Sequence, residues 1–92
     1  MSGTAVWSVY LIRCGDGSLY TGISTDVTRR LAEHQQGAPK GARYLRGRGP
    51  LQLLFQAEAG DRASASRLEW RVKRLSREDK LKLVTGQLAL PS

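Results

Sequence analysis

One cysteine, Cys14, one histidine, His34, and no asparagine are what this chain of 92 residues has to offer of three residue types that often build sites. Cys14 has no second cysteine with which to close a disulfide, and no Cys or His stands at zinc-site spacing from it. A structural zinc site and a disulfide framework are thereby excluded, and a reducing cytosol is the expected compartment. Long apolar runs are missing too. The longest, Ala5 to Ile12, is interrupted by Ser8 and falls far short of the roughly 20 residues that cross a bilayer. The N-terminus has no basic stretch of the kind that opens an export signal, so neither export nor a membrane is expected. Acidic residues are scarce: eight Asp and Glu face fifteen Lys and Arg, for a net charge of +7. All of those cations but Arg13 lie after residue 28. A chain so charged is expected to meet a polyanion, nucleic acid before others, against the plainer reading of a basic protein that stays soluble or touches acidic surfaces.

The length suffices for one small domain with one core. Residues 5 to 12, AVWSVYLI, are β-branched and aromatic enough for a strand, and LYTGIS at 19 to 24 reads as a second. The CGDGS between them is turn chemistry. An odd loop, Gly15-Asp16-Gly17, pairs residues of equal parity and sets Tyr10 and Tyr20 on one face; a two-residue loop would separate them. Thr25 or Asp26 caps a helix over roughly 27 to 36, with Val27 and Leu31 on its apolar side and Gly37 as its stop. Arg30 and His34, four apart, point the same way. The Gly- and Arg-rich stretch 38–50 reads as a loop around one helical turn at 42–46. A third strand is expected over 51–59, with Leu51, Leu53, Phe55 and Ala57 on one face. A helix then runs from Asp61 or Ser64 to about Leu75, with Ala65, Leu68, Val72 and Leu75 as its stripe. Trp70 falls opposite that stripe and calls for a partner, which the last helix would supply. That helix is announced by the capping signature SRED at 76–79. The tail after residue 84 is expected to fray. The order β-β-α-(short α)-β-α-α predicts an α+β (α/β) domain over 5–84, a three-stranded sheet covered by helices, followed by a tail, 85–92.

Phosphodiester hydrolysis needs a base for the attacking water, a cation against the phosphate, and usually a metal held by carboxylate. Tyr10 and Tyr20 supply phenols, Arg30 and His34 supply donors, and Glu69 supplies a carboxylate at the edge of its helix's apolar stripe. Each has a plainer competing role. A strand tyrosine can be a core residue with a wet tip, His34 can answer a helix C-terminus, and Glu69 can pair with Lys73 on the surface.

Taken together, Ser8-Val9-Tyr10, a hairpin turn, Tyr20-Thr21-Gly22, then Arg30, His34 and Glu69 resemble the GIY-YIG nuclease superfamily, over about residues 5 to 84. The stretches GARYLRGRGP and RLEWRVKRL look closest to its small stand-alone bacterial members, similar to the endonuclease domain of the UvrC repair protein. The first motif is SVY rather than GIY and the second YTG rather than YIG, and the asparagine found downstream in many members has no counterpart here.

The resemblance implies that Tyr10 and Tyr20 surround the attacking water; which of them is the base stays open, with Tyr20 favoured because it stands beside the loop leading to Arg30. Arg30 then steadies the scissile phosphate, His34 assists, and Glu69 binds one divalent ion, Mg²⁺ or Mn²⁺. Gly22 matches the family glycine, where a side chain would intrude on the site, and Lys40, Arg43, Arg46 and Arg48 are placed to bind flanking phosphates. The expected activity is metal-dependent cleavage of DNA with little sequence specificity, in repair or processing. Target choice would come from nucleic-acid shape or a partner protein, with RNA as the other polymer. The rival readings are a basic module that binds DNA or RNA without cutting it, and a ribosome-associated basic protein.

Overall fold

The computed structural model describes residues 5–36, 45 and 47–91. Its elements are β1 (Trp7–Arg13), β2 (Leu19–Ser24), α1 (Val27–Gln36), β3 (Gln52–Gly60), α2 (Arg62–Lys73) and α3 (Arg77–Val84). The sheet is antiparallel with order β2-β1-β3, so β1 is central and its Val9, Tyr10, Leu11 and Ile12 are all buried. The helical turn expected at 42–46 lies, but for Leu45, outside the described residues.

The hairpin closes as its composition requires. Cys14 N–H donates to Ser18 O at 2.9 Å and Gly17 N–H to Cys14 O at 2.9 Å, around the loop Gly15-Asp16-Gly17. Gly17, at φ 87°, takes the left-handed position that β-carbon sterics deny to most residues. The loop is odd, so Tyr10 stands opposite Gly22 and Ile12 opposite Tyr20, and both phenols share one face.

β3 departs from simple alternation. The ladder pairs Leu11 with Phe55 but Ile12 with Leu53, a register shift that is a bulge. Leu53 therefore joins Tyr10, Ile12, Cys14, Val27, Leu45 and Leu51 on one side of the sheet, beneath α1. Phe55 joins Leu11, Leu68, Val72, Leu75 and Leu83 on the other, beneath α2 and α3. The expectation that Leu51, Leu53, Phe55 and Ala57 line one face fails at the bulge, because one extra residue reverses every side chain beyond it.

Three caps fix the helices. Asp26 Oδ1 accepts from Arg29 N–H at 3.0 Å, Asp61 Oδ1 from Ser64 N–H at 2.8 Å, and Ser76 Oγ from Asp79 N–H at 3.1 Å. At its other end α3 closes in a Schellman pattern. Gln87 N–H reaches Lys82 O at 2.9 Å and Gly86 N–H reaches Leu83 O at 3.2 Å, with Gly86 at φ 79°. That turn sends Leu88 and Leu90 back onto the α2/α3 cluster, so the expected fraying does not occur there. Trp70 is a second correction: α3 does not cover it, and it stands 59% exposed. Among the described residues no helix is long and apolar enough to cross a membrane.

Candidate active site

The buried face of α1 carries Val27, Leu31 and His34, one residue per turn, down onto the even-numbered face of β1. His34 is thereby pressed against Tyr10, whose hydroxyl lies 2.9 Å from His34 Nε2. The rings of Tyr10, Tyr20 and His34 form one cluster. Tyr10 and Tyr20 centroids are 6.3 Å apart, and Tyr20 meets His34 edge-on at 5.6 Å. Gly22 belongs to the same arrangement. A β-carbon built there would come within 2.5 Å of Tyr10 Oη and 2.6 Å of Cζ, so the phenol ring fills the space a side chain would take. The glycine makes room for the Tyr10 ring itself, a more specific need than keeping a passing backbone clear.

Burial and neighbours set the charge states. Burial, then the adjacent Tyr20, pushes the Tyr10 phenol up to about 12, against the opposing pull of Arg30. Tyr20 is raised as well, by burial and by Glu69, again with Arg30 opposing. Burial lowers His34 below its ordinary 6.5, Arg30 lowers it further, and Glu33 pulls the other way. Burial works against the Arg30 charge, but hydrogen bonds to Glu33 and Tyr10 outweigh it and hold that guanidinium above its ordinary value. Both phenols are thus neutral at pH 7 and His34 is an uncharged imidazole. With Tyr10 protonated and His34 neutral, the tautomer that carries the ring proton on Nδ1 lets the Tyr10 hydroxyl donate to Nε2.

Glu33 is the residue that sequence reasoning missed. Its half-buried carboxylate takes Arg30 Nη1 at 2.9 Å and Arg29 Nε at 3.4 Å, orienting the first guanidinium toward Tyr10. The i,i+3 and i,i+4 spacings were there to be read.

Glu69 comes from α2, in the layer across the sheet, yet its carboxylate acts electrostatically on both phenols. It is 23% exposed and also pairs with Lys73 Nζ at 3.5 Å, so the surface pair and the site carboxylate are the same group. Glu69 is the carboxylate that these residues would offer a hard divalent ion. Among the described residues no three His, Cys, Asp or Glu side chains converge, and Mg²⁺ characteristically takes one or two carboxylates and completes its shell with water and substrate phosphate.

Of the basic residues expected to bind flanking phosphates, Lys40, Arg43 and Arg46 lie outside the described residues. Arg48 is drawn to the hairpin turn, where Nη1 pairs with Asp16 and its carbonyl accepts from Gly15 N–H at 2.6 Å. Arg77 holds the same turn through Gly17 O. A cavity of about 320 Å³ opens on His34 and Gln35, with Leu45, Pro50 and Leu51 as apolar walls.

Comparison with known proteins gives a consistent result. A family model described as the GIY-YIG catalytic domain matches residues 6–82. A UPF0213 protein of Yersinia pestis (strain Pestoides F) is 58% identical over 83 residues, which make up 90% of this chain and 85% of that protein. The solution NMR structure of the UPF0213 protein BH0048 from Bacillus halodurans is 45% identical, with TM-score 0.55, and the match covers 89% of this chain and 85% of that one. The solution NMR structure of EF2693 from E. faecalis is 28% identical, with TM-score 0.61, covering 100% of this chain and 97% of that one.

Proposed function

Because the chain belongs to the GIY-YIG family, we propose that it is a metal-dependent endonuclease that hydrolyses phosphodiester bonds in DNA, in the cytoplasm, with little sequence preference of its own and in the service of repair or processing. The observation that carries this reading is the Tyr10–His34 hydrogen bond of 2.9 Å, made in a cluster that also receives Arg30 and the field of Glu69.

The proton path follows from the charge states. With its pKa at about 12, the Tyr10 phenol is no free phenolate at neutral pH. It acts instead as a relay: Oη accepts a proton from the attacking water as its own proton passes to the neutral Nε2 of His34. The hydroxide so formed bonds to phosphorus, the bond to the leaving oxygen breaks, and solvent protonates that oxygen. We give the relay to Tyr10, whose hydroxyl is bonded both to His34 and to Arg30. Tyr20, closing the other side of the ring cluster, orients the water. Arg30 neutralises the charge that gathers on the phosphate, and Glu33 keeps its guanidinium aimed. Glu69 would hold a divalent ion, Mg²⁺ or Mn²⁺, which when bound polarises the phosphate and stabilises the leaving oxygen.

The experiment is nicking of supercoiled plasmid with Mg²⁺ or Mn²⁺ by the native chain, Glu69→Gln and Arg30→Ala. DNA binding without nicking by the native chain would make it a binding module instead. Within the reading, Tyr10→Phe is expected to slow single-turnover cleavage by about 10²- to 10⁴-fold, the range of a lost acid–base step, with the melting transition still cooperative. Tyr20→Phe should cost less. A near-native Tyr10→Phe rate, or a larger loss in Tyr20→Phe, would remove Tyr10 from the relay.

The pH profile is a further expectation. The relay needs neutral His34, which burial holds below its ordinary 6.5, so the acid limb of kcat/KM should be centred below pH 6.5. A depressed folded pKa also means that the stability His34 contributes is present above pH 6.5 and lost as pH falls through the folded value. Urea midpoints taken at the same pH values separate unfolding from loss of chemistry. An acid limb centred above pH 6.5 would contradict the assignment.

A further inference from the structure

The exposed face of α2 has a composition that a merely solvated helix does not require. Its inward stripe, Ala65, Leu68 and Val72, is spent on the sheet. The outward face presents Trp70, 59% exposed, with the Arg74 guanidinium 4.7 Å from its ring centroid. Ser66, Arg67, Trp70 and Arg71 bound an open hollow of about 400 Å³ beside the indole. The nearest carboxylate along the helix, Glu69, is taken by Lys73 and by the phenol site. Three guanidiniums around an indole that Arg74 covers only in part leave apolar area in water that burial would stabilise, which on a surface marks a place of contact.

We propose that this face binds an unpaired stretch of nucleic acid. A splayed base stacks on Trp70 in the hollow, while Arg67, Arg71 and Arg74 hold the phosphates on either side. Base stacking on an aromatic ring with arginines along the backbone is how single strands are held without sequence reading. Charge and shape select this occupant. A second copy of the chain would bring three guanidiniums against three, and a duplex keeps its base faces stacked and offers no ring to the indole. Trp70 follows Glu69 by one residue, about 100° around the helix, so a strand whose phosphate lies at Glu69 meets the indole as it leaves. That adjacency rests on the nuclease reading; the binding does not. Joined to it, the inference names the substrate: DNA with unpaired nucleotides beside the cut.

The test is fluorescence anisotropy of a labelled oligothymidine and of a duplex of equal length on the full chain, in EDTA so that nothing is cut. Trp70→Ala should lower the ratio of single-strand to duplex affinity by about 5- to 150-fold, the equivalent of one stacked base. Trp70→Phe should restore most of it. The salt slope should be unchanged in Trp70→Ala and flatter in Arg67→Gln with Arg71→Gln, since only the latter removes phosphate contacts. An unchanged ratio in Trp70→Ala would overturn the proposal. So would a dimer of the native chain in sedimentation that Trp70→Ala dissolves. A native chain that binds single strands through Trp70 but never nicks plasmid keeps this inference and loses the nuclease; nicking with an unchanged ratio does the reverse.

Discussion

Glu69→Gln is expected to lower plasmid nicking by at least about 10²- to 10³-fold, the scale on which single preorganised charge-stabilising groups act, while DNA affinity in EDTA stays near that of the native chain. The substitution keeps the side-chain shape and removes one negative charge. Its structural cost is modest, because the pair it breaks, with Lys73 at 3.5 Å, is exposed on the lysine side, and exposed pairs contribute about 0.2–1 kcal/mol. Its effect on the phenols runs opposite to a loss of activity. Glu69 raises the pKa of both Tyr10 and Tyr20, so removing its charge makes them slightly better acids. If ionised phenol alone limited the rate, Glu69→Gln would be neutral or faster. A large loss therefore places the role of Glu69 in binding the divalent ion, and a near-native rate at saturating Mg²⁺ would refute that role. Arg30→Ala gives a complementary signature. Arg30 lowers the pKa of His34 and Glu33 raises it, so without the guanidinium the acid limb of any residual activity should move to higher pH.

How much of this was readable beforehand depended on the range of the interactions involved. The hairpin was legible because its determinants are local: the Gly-Asp-Gly loop fixes the parity, and parity alone puts Tyr10 and Tyr20 on one face. The helix starts were legible for the same reason, each cap bond spanning three residues. Val27 and Leu31 were legible as the apolar side of α1, whereas His34 was read with Arg30, and only the fold shows it continuing that stripe onto Tyr10. What failed depended on distant chain. The split between Leu53 and Phe55 is a property of the β1–β3 ladder, since a bulge exists only against a partner strand. The pairing of Arg48 with Asp16, 32 residues back, is likewise invisible to local spacing. Trp70 was assigned to α3 on the premise that an indole must be covered, and the fold leaves it in the open beside Arg74. Glu33 is the instructive omission. Its spacing from Arg29 and Arg30 was visible, but only the burial of Arg30 beside Tyr10 turns an ordinary helix pair into an orienting contact. The phenols, His34 and Arg30 meet in the structure, and the reach of Glu69 across the sheet is something that no spacing in the sequence encodes.

Gly22→Val is expected to be among the most damaging single changes in the chain for its size, and Gly22→Ala a graded version of it. The added β-carbon would lie 2.5 Å from Tyr10 Oη and 2.6 Å from Cζ, well inside van der Waals contact. The ring has no easy retreat. Tyr10 is 1% exposed, packed among Ile12, Cys14 and Val27, and bonded to His34 Nε2. Overpacking of this kind costs about 1–3 kcal/mol, and each kcal/mol lowers the melting midpoint of a domain this size by about 4–8 °C. Gly49→Ala is the control, since a β-carbon there meets nothing within 4 Å, and its midpoint should stay near native. Activity should suffer more than stability, because whatever relieves the clash moves the phenol away from Nε2 and cuts the relay. The double variant Gly22→Ala with Tyr10→Phe separates the two effects. Deleting the hydroxyl removes the atom closest to the new methyl, so the pair should melt higher than the sum of the single losses predicts, while cleavage stays as low as in Tyr10→Phe alone. Strict additivity in stability would mean that the glycine and the phenol do not share the space assigned to them, and that Gly22 answers some other constraint of β2.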